Sequence, residues 1–463
     1  MPTECSAKPM GFARVDGRAV VADFDGGEIT SNAGGLLLGA TDRAIGLVEG
    51  FAACFADGRA AERVVHEVVT LVGQRVFGIA LGYEDLIDHD RLRHDPVLGV
   101  ALGRLEARHG RCAPLAGKST LNRLEHGGAG VDRYRRIAHD GAAVEALFVD
   151  LFLDAHARPP KEIVLDLDAT DDPLHGQQEG RFFHGYYDCY CYLPLYVFCG
   201  GHLGAKLRRA DIDASAGAVE EVARIVGRIR ARWPRVRIIL RGDSGFAREP
   251  LMAWCEDNRL DYLFGLARNP RLVEHIHVEL ARAEHDAEAT GRPARRFADF
   301  RWTKRLSWSR RRRVVAKAEW MPGRGAKGAN PRFVVTSLKP ARADARTLYE
   351  QMYCARGEME NRIKECQLDL FADRTSAATM RANQLRLWFA SMAYVLVTAL
   401  RRIGLAGTDL ATATCGSIRL KLLKIGALVT RSVSRIIGRE RGGRRRRRGS
   451  SRPWRFGCGG RCG

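Results

Sequence analysis

Two apolar runs that break off at a carboxylate constrain this chain more than any other feature. In KEIVLDLDATDDP, residues 161–173, and RVRIILRGDSGF, residues 235–246, a stretch rich in Ile, Val and Leu ends in aspartate. Such runs are the pattern of central strands covered on both faces, as in parallel sheets with helical connections. A strand of that kind delivers its last side chain to the edge of the sheet, which places Asp168 and Asp243 as catalytic residues would be placed. An aspartate at a strand end is more often a turn former or helix cap, so neither residue argues for chemistry alone.

A third stretch, YCARGEMENRIKE at 353–365, has a different period. Tyr353, Arg356, Glu360 and Lys364 recur at spacings of three and four, one continuous face of an α-helix. Taken singly, such a face is an ordinary solvated salt-bridge ladder. Presented to the two aspartates, Glu360 would complete a set of three carboxylates, which repel one another unless protonated or bridged by cations. An all-oxygen set suits Mg²⁺ or Mn²⁺ rather than zinc.

The strings LDLDATDDPLHG, RGDSGFA and YCARGEMENRIKE resemble the catalytic signatures of DDE insertion-sequence transposases, specifically the insertion sequence 1380 family within the wider insertion sequence 4-like group. The likeness takes in residues 63–96 upstream and 373–401 downstream, and runs to about residue 437. Strand geometry leaves Asp166 and Asp168 undistinguished, since both point to one face. The family's D-x-T pattern falls on Asp168-Ala169-Thr170 and implies Asp168, with Asp166 in reserve. Tyr353 and Arg356 match the family's Tyr-x-x-Arg-x-x-x-Glu, in which the Arg fork would hold a phosphate. The wider group has a Lys seven positions after the Glu; here that position is Gln367, which leaves Lys364 as the substitute.

The resemblance implies a DDE transposase that cuts DNA at the inverted-repeat ends of an insertion sequence and transfers the strand into target DNA. Asp168, Asp243 and Glu360 would hold a pair of divalent ions, Mg²⁺ or Mn²⁺. The partners would be double-stranded DNA with terminal inverted repeats, target DNA and a second copy of the chain in a synaptic homodimer. A stand-alone nuclease of the same fold, or an inactive DNA-binding derivative, are the alternatives.

From residue 161 the elements read strand, strand, strand, helix, strand, helix, strand, with FFHGYYDCYCYLPLYVFC as the second strand and HLGAKLRRADI as the third. This is the order of the ribonuclease H-like fold, in which the first and fourth strands are neighbours. The expected architecture is α/β: a helical DNA-end-binding region over 1–150, a ribonuclease H-like core over 155–270 and 341–405, a β-rich insertion over 271–340, and a C-terminal helix with a disordered basic tail over 406–463.

Charge agrees with a polyanionic partner. The chain has 75 Lys and Arg against 54 Asp and Glu, a net +21, and phosphates release counterions to such side chains. Arg is spread through the chain, which favours nucleic acid over a membrane surface. The 12 cysteines are scattered and MPTECSAKPMGF has no signal-peptide core, so reduced thiols and a cytoplasmic, nucleoid-associated prokaryotic protein are expected. The longest apolar run, LWFASMAYVLVTAL at 387–400, is too short to span a bilayer and reads as a buried helix.

Two regions supply candidate DNA contacts. Upstream, residues 60–86 have the spacing of a helix with Arg63, His66 and Arg75 on its polar face, and LAGKSTLNRLEHG suits either a reading helix or a plain helical cap. Arg91, Arg93, Lys118 and Arg123 are its DNA candidates. In the insertion, Trp302, Trp308 and Trp320 stand among basic residues, and Lys304, Trp308, Arg310 and Arg311 would grip DNA, with an indole stacking on a base. The plainer reading is that these Trp anchor a small core. SIRLKLLKIGALVTRSVSRIIG, near the C-terminus, predicts a last amphipathic helix.

Overall fold

The computed structural model describes residues 10–15, 18–22, 27–104, 113–128, 130, 136–304, 307–431 and 436–440. They fall into two compact units, residues 34–424 and residues 1–33 with 425–463. In the smaller unit Met10–Val15 and Arg18–Ala22 pair as an antiparallel hairpin, and Ile29–Thr30, Ala427–Arg431 and Ile436–Glu440 form a second antiparallel sheet. The expected last helix is therefore wrong over most of its length. Among the described residues there, only Cys415–Ile418 and the wider turn Arg419–Leu423 are helical. Gly426 and the β-branched Val429, Thr430, Ile436 and Ile437 favour extended chain over helix. The basic tail after residue 440 lies outside the described residues.

The larger unit begins with helices. In α1 (Val68–Ala80) every residue except Val69 is buried. The polar face expected there is absent: Arg63 and His66 precede the helix, and Arg75 is buried with its Nε 2.7 Å from Glu125 Oε1. Glu125 also accepts from Arg386 at 2.8 Å, so one carboxylate ties three helices together. The short α2 (Lys118–Glu125) starts at Lys118 after Gly117, and the Lys118 N–H donates to Asp90 at 3.0 Å. Helix α3 (Gly141–Asp154) is capped by Asp140, which accepts from two first-turn N–H groups.

Eight strands form one mixed sheet behind these helices. Along the chain run β1 (Glu162–Ala169), the hairpin strands β2 (Phe182–His184) and β3 (Cys189–Tyr192), β4 (Leu195–Cys199), β5 (His202–Lys206), helix α4 (Ala218–Arg232), β6 (Arg237–Gly242), helix α5 (Glu249–Asp257) and β7 (Asp261–Leu266). Helix α6 (His277–Thr290), β8 (Ala294–Trp302), β9 (Arg312–Trp320), β10 (Arg332–Thr336), α7 (Gly357–Leu370) and α8 (Met380–Ile403) follow. The spatial order is β5-β4-β1-β6-β7-β10-β9-β8. β1, β6 and β7 pair in parallel and the other neighbours antiparallel.

Two departures from expectation concern strands. The expected second strand is split: β4 joins the main sheet, while β2 and β3 leave it to pair with each other and with Asp172–Pro173. The stretch 271–340 opens with helix, and its strands are hydrogen-bonded onto β7, so they widen the same sheet. Helix α8 is buried along most of its length and carries Tyr394, Phe389 and Trp388 into the core, as the apolar run at 387–400 predicts. No helix among the described residues is long and apolar enough to cross a membrane.

Candidate active site

Alternation along β1 sorts its side chains by face. Ile163, Leu165 and Leu167 are buried with apolar residues of α3, α4 and α5. Val164, Asp166 and Asp168 therefore face the opposite side, toward the segment 348–370. Registered neighbours on parallel strands share a face, and the register pairs Asp166 with Arg241 and Leu167 with Gly242. One step further on, Asp168 and Asp243 stand at adjacent strand ends.

Asp166 is committed to structure. Arg241 grips it with two hydrogen bonds of 2.5 and 2.8 Å and donates a third to the Met352 carbonyl at 2.5 Å. Asp168 has no such clamp among the described residues; its Oδ1 accepts the Ala169 N–H, at 3.1 Å. Asp243 caps the turn Ser244–Phe246 by accepting the Gly245 N–H at 2.8 Å. That is the ordinary role of an aspartate after a strand, and it engages only Oδ1.

The third segment is not one α-helix. Leu348–Tyr353 is a π-helical turn, Cys354–Arg356 a 3₁₀ turn, and α7 starts at Gly357. A 3₁₀ turn eclipses residues three apart, so Tyr353 stays on the side of Arg356. Its hydroxyl reaches β7, where a Cβ on Gly265 would lie 2.5 Å away. Tyr353 and Asp243 line a cleft of about 370 Å³ with Arg268 and Arg332. Arg356 donates to Glu360 Oε1 at 2.5 Å and stands 3.7 Å from Asp168 Oδ1. Lys364 is exposed and forms no ion pair among the described residues, so it is not joined to this group. Gln367 donates to Asp172 at 3.3 Å, turned toward the loop after β1.

The electrostatics link the same residues. Burial pushes the Asp168 carboxyl up to about 6; Arg356 opposes the shift, and Asp243 and Glu360 add to it. Burial works against the charge on Arg356, yet Asp168, Tyr353, Glu360 and Asp243 together hold its pKa above the ordinary value. No three His, Cys, Asp or Glu side chains among the described residues are grouped so as to hold one metal ion. The Arg356 guanidinium is instead the countercharge between Asp168 and Glu360. The donor types of Asp168, Asp243 and Glu360, oxygen only, suit a hard divalent cation, although the three carboxylates are not gathered around one point.

The DNA candidates divide. Lys118, Ser119, Asn122 and Arg123 are exposed on α2, with Lys118 3.4 Å from Asp90. Arg91 is exposed, and Arg93 is half-buried with its Nε 3.1 Å from His94. In the insertion, Trp308 is only 7% exposed and packs in the main core beneath Arg312 and Lys304. Its indole is not a stacking surface, which corrects that expectation, and Trp320 is buried as well. Arg312 is buried against Glu249 and Glu256, and Arg313 against Asp299. Arg310 and Arg311 stay exposed; Arg310 is 3.3 Å from Glu256 and Arg311 donates to the Arg301 carbonyl at 3.0 Å. Lys304 is half-buried.

Sequence reasoning missed Arg241 and Gly265. For Arg241 a signal existed, because an Arg two residues before Asp243 mirrors Asp166 two residues before Asp168.

A family model described as "Transposase DDE domain group 1" matches residues 12–439. No curated protein matches the chain. Among solved structures, a piggyBac transposase synaptic complex with hairpin DNA, determined by electron cryomicroscopy, aligns with a TM-score of 0.39 and 11% identity, over 84% of this chain and 79% of that one. With the match running through both strand-end aspartates and the Glu360 helix, the chain belongs to the transposase family of DDE domain group 1.

Proposed function

We propose that the chain is a cut-and-paste transposase of the insertion sequence 1380 family, with a ribonuclease H-like core, that cleaves DNA at inverted-repeat ends and joins the freed strand to target DNA. The observation that carries this reading is the parallel pairing of β1 with β6, which brings Asp168 and Asp243 to one sheet edge facing Arg356 and Glu360. Asp168, Asp243 and Glu360 are the residues that would hold divalent cations. Bound there, Mg²⁺ or Mn²⁺ would acidify the attacking water or 3′-hydroxyl and neutralise charge on the leaving oxygen.

The protein's own groups account for the rest. Arg356, released from Glu360 when a phosphate enters, offers its fork to the non-bridging oxygens. Tyr353 closes the cleft beside Asp243 and fixes the distance between β7 and the Glu360 helix. The helices that precede β1 in the larger unit, through Arg91, Arg93, Lys118 and Arg123, read the inverted repeats, and Arg310 and Arg311 hold DNA on the insertion. Synapsis of two ends calls for a homodimer.

The test is incubation of the purified chain with Mg²⁺ and DNA bearing the parent element's ends. End-specific cutting followed by joining, lost in Asp243→Asn, is the expected result. Unspecific cutting would point to a stand-alone nuclease, and binding without cutting to an inactive derivative.

A further inference from the structure

We propose that the β2–β3 hairpin is a stacking platform for unpaired bases of the DNA strand that enters the carboxylate site, a role that rests on the transposase reading. Its composition is unusual for a surface. The aromatic side chains exposed among the described residues all lie in it: Phe182 and Phe183 at 45%, Tyr190 at 44% and Tyr186 at 85%. A soluble chain that concentrates its exposed rings in one short hairpin presents a binding surface there.

The hairpin has two faces. Its inner face, Cys189 and Cys191 with Tyr187 of the tip, packs on Leu193, Ala210 and Ala169. The Tyr187 hydroxyl donates to the Ala169 carbonyl at 3.3 Å, so the tip is fastened to the residue next to Asp168. The outer face pairs Phe183 with Tyr190 across the strands, rings 5.5 Å apart and edge to face, and the Arg181 guanidinium lies 4.4 Å over the Tyr190 ring. Tyr186 stands out at the tip.

Flat rings beside a cation match the chemistry of a nucleotide: a base to stack and a phosphate to neutralise. The net charge of +21 and Arg181 favour a polyanion over a second copy of the same basic chain. A duplex hides its base faces, whereas a strand opened for cutting exposes them beside the scissile phosphate.

Binding of the full chain, without metal, to a single-stranded oligothymidylate and to a blunt duplex of equal length tests the proposal. Phe183→Ala with Tyr186→Ala removes only exposed rings, and the fold is checked by circular dichroism. The single strand is expected to lose about tenfold in affinity while the duplex changes by less than about twofold. Phe183→Trp with Tyr186→Trp, which keeps the rings, retains wild-type binding. Equal losses on both DNAs, no loss on either, or a loss of self-association alone would overturn it, the last by assigning the hairpin to a second copy. Because no catalysis enters the readout, an inert hairpin leaves the cleavage reading standing, and an inert cleavage site leaves the hairpin result standing.

Discussion

The Arg356 guanidinium stands 3.7 Å from Asp168 and 2.5 Å from Glu360, so a single side chain links the strand-end carboxylate to the helix carboxylate. One cation does not offset the burial of Asp168, whose pKa rises to about 6 from an ordinary 3.8. Between those values the folded state binds more protons than the unfolded one. Stability contributed by the protonated form is therefore lost as pH rises through this window. Asp168→Asn removes the penalty. In metal-free urea unfolding it is expected to exceed wild type by about 1–3 kcal/mol near neutral pH and to match it near pH 4, while cleavage falls to background. A variant less stable than wild type at neutral pH would count against this account.

Divalent cations held at Asp168, as proposed, would act on the same penalty. Adding Mg²⁺ to wild type at neutral pH is expected to raise the melting temperature, with a gain approaching about 2.7 kcal/mol at a hundredfold excess over the dissociation constant. Chelation reverses the gain, and Asp168→Asn and Asp243→Asn lose most of it. The effect is expected to fade as pH drops below about 6, because a protonated Asp168 could not serve as the proposed ligand. Differential scanning fluorimetry with and without chelator reads each of these outcomes.

Gly265 of β7 lies against Tyr353 and the Asp243–Ser244 backbone. A Cβ there would lie 2.5 Å from the Tyr353 hydroxyl and 3.0 Å from the Ser244 backbone nitrogen. Gly265→Ala is expected to cost about 1–3 kcal/mol by overpacking and to lower cleavage by displacing Asp243 or Tyr353. Pairing it with Tyr353→Phe removes one clash and leaves the backbone one, so rescue should be partial. Full rescue of stability would mean that the Ser244 contact relaxes without strain.

Period and composition made the centre of the molecule legible. The runs through Asp168 and Asp243 announce buried strands, and the strand and helix order correctly implies that β1 and β6 are neighbours. What pairwise spacing hides is helix type. The π and 3₁₀ turns before Gly357 break the single α-helix that the spacing of Tyr353, Arg356, Glu360 and Lys364 predicts, and no residue type marks such turns in advance. Arg312 and Arg313 look like surface charge because their partners, Glu249, Glu256 and Asp299, come from other elements. The stretch after Gly426 keeps a helical period, yet pairing with Ile29–Thr30 makes it a strand, an outcome set by a contact with the far end of the chain.

Trp308 distinguishes a core role from a DNA role. Its burial beneath Arg312 and Lys304 means that Trp308→Ala removes a large apolar side chain from the main core. The expected loss is about 3–5 kcal/mol in chemical unfolding, with DNA affinity at low temperature close to wild type for the fraction that remains folded. Unchanged stability together with weakened DNA binding would restore the stacking role to the indole.

Asp166 and Asp168 share a strand face and differ in what they touch, which makes them a matched pair for separating structure from chemistry. Asp166 is held at both oxygens by Arg241, and Arg241 also donates to Met352 at the start of the Arg356 segment. Asp166→Asn leaves a buried guanidinium without its counterion and is expected to cost about 3–5 kcal/mol. Replacing both partners, Asp166→Leu with Arg241→Met, should return much of that stability, since the paired charges are removed together. Cleavage should recover only in part, because the Met352 carbonyl loses its donor and Arg356 is held less firmly. Asp168→Asn has the opposite profile, a stable fold with no cleavage. Comparable unfolding free energies for the two single variants would show that Asp166 is not committed to the fold by its Arg241 clamp.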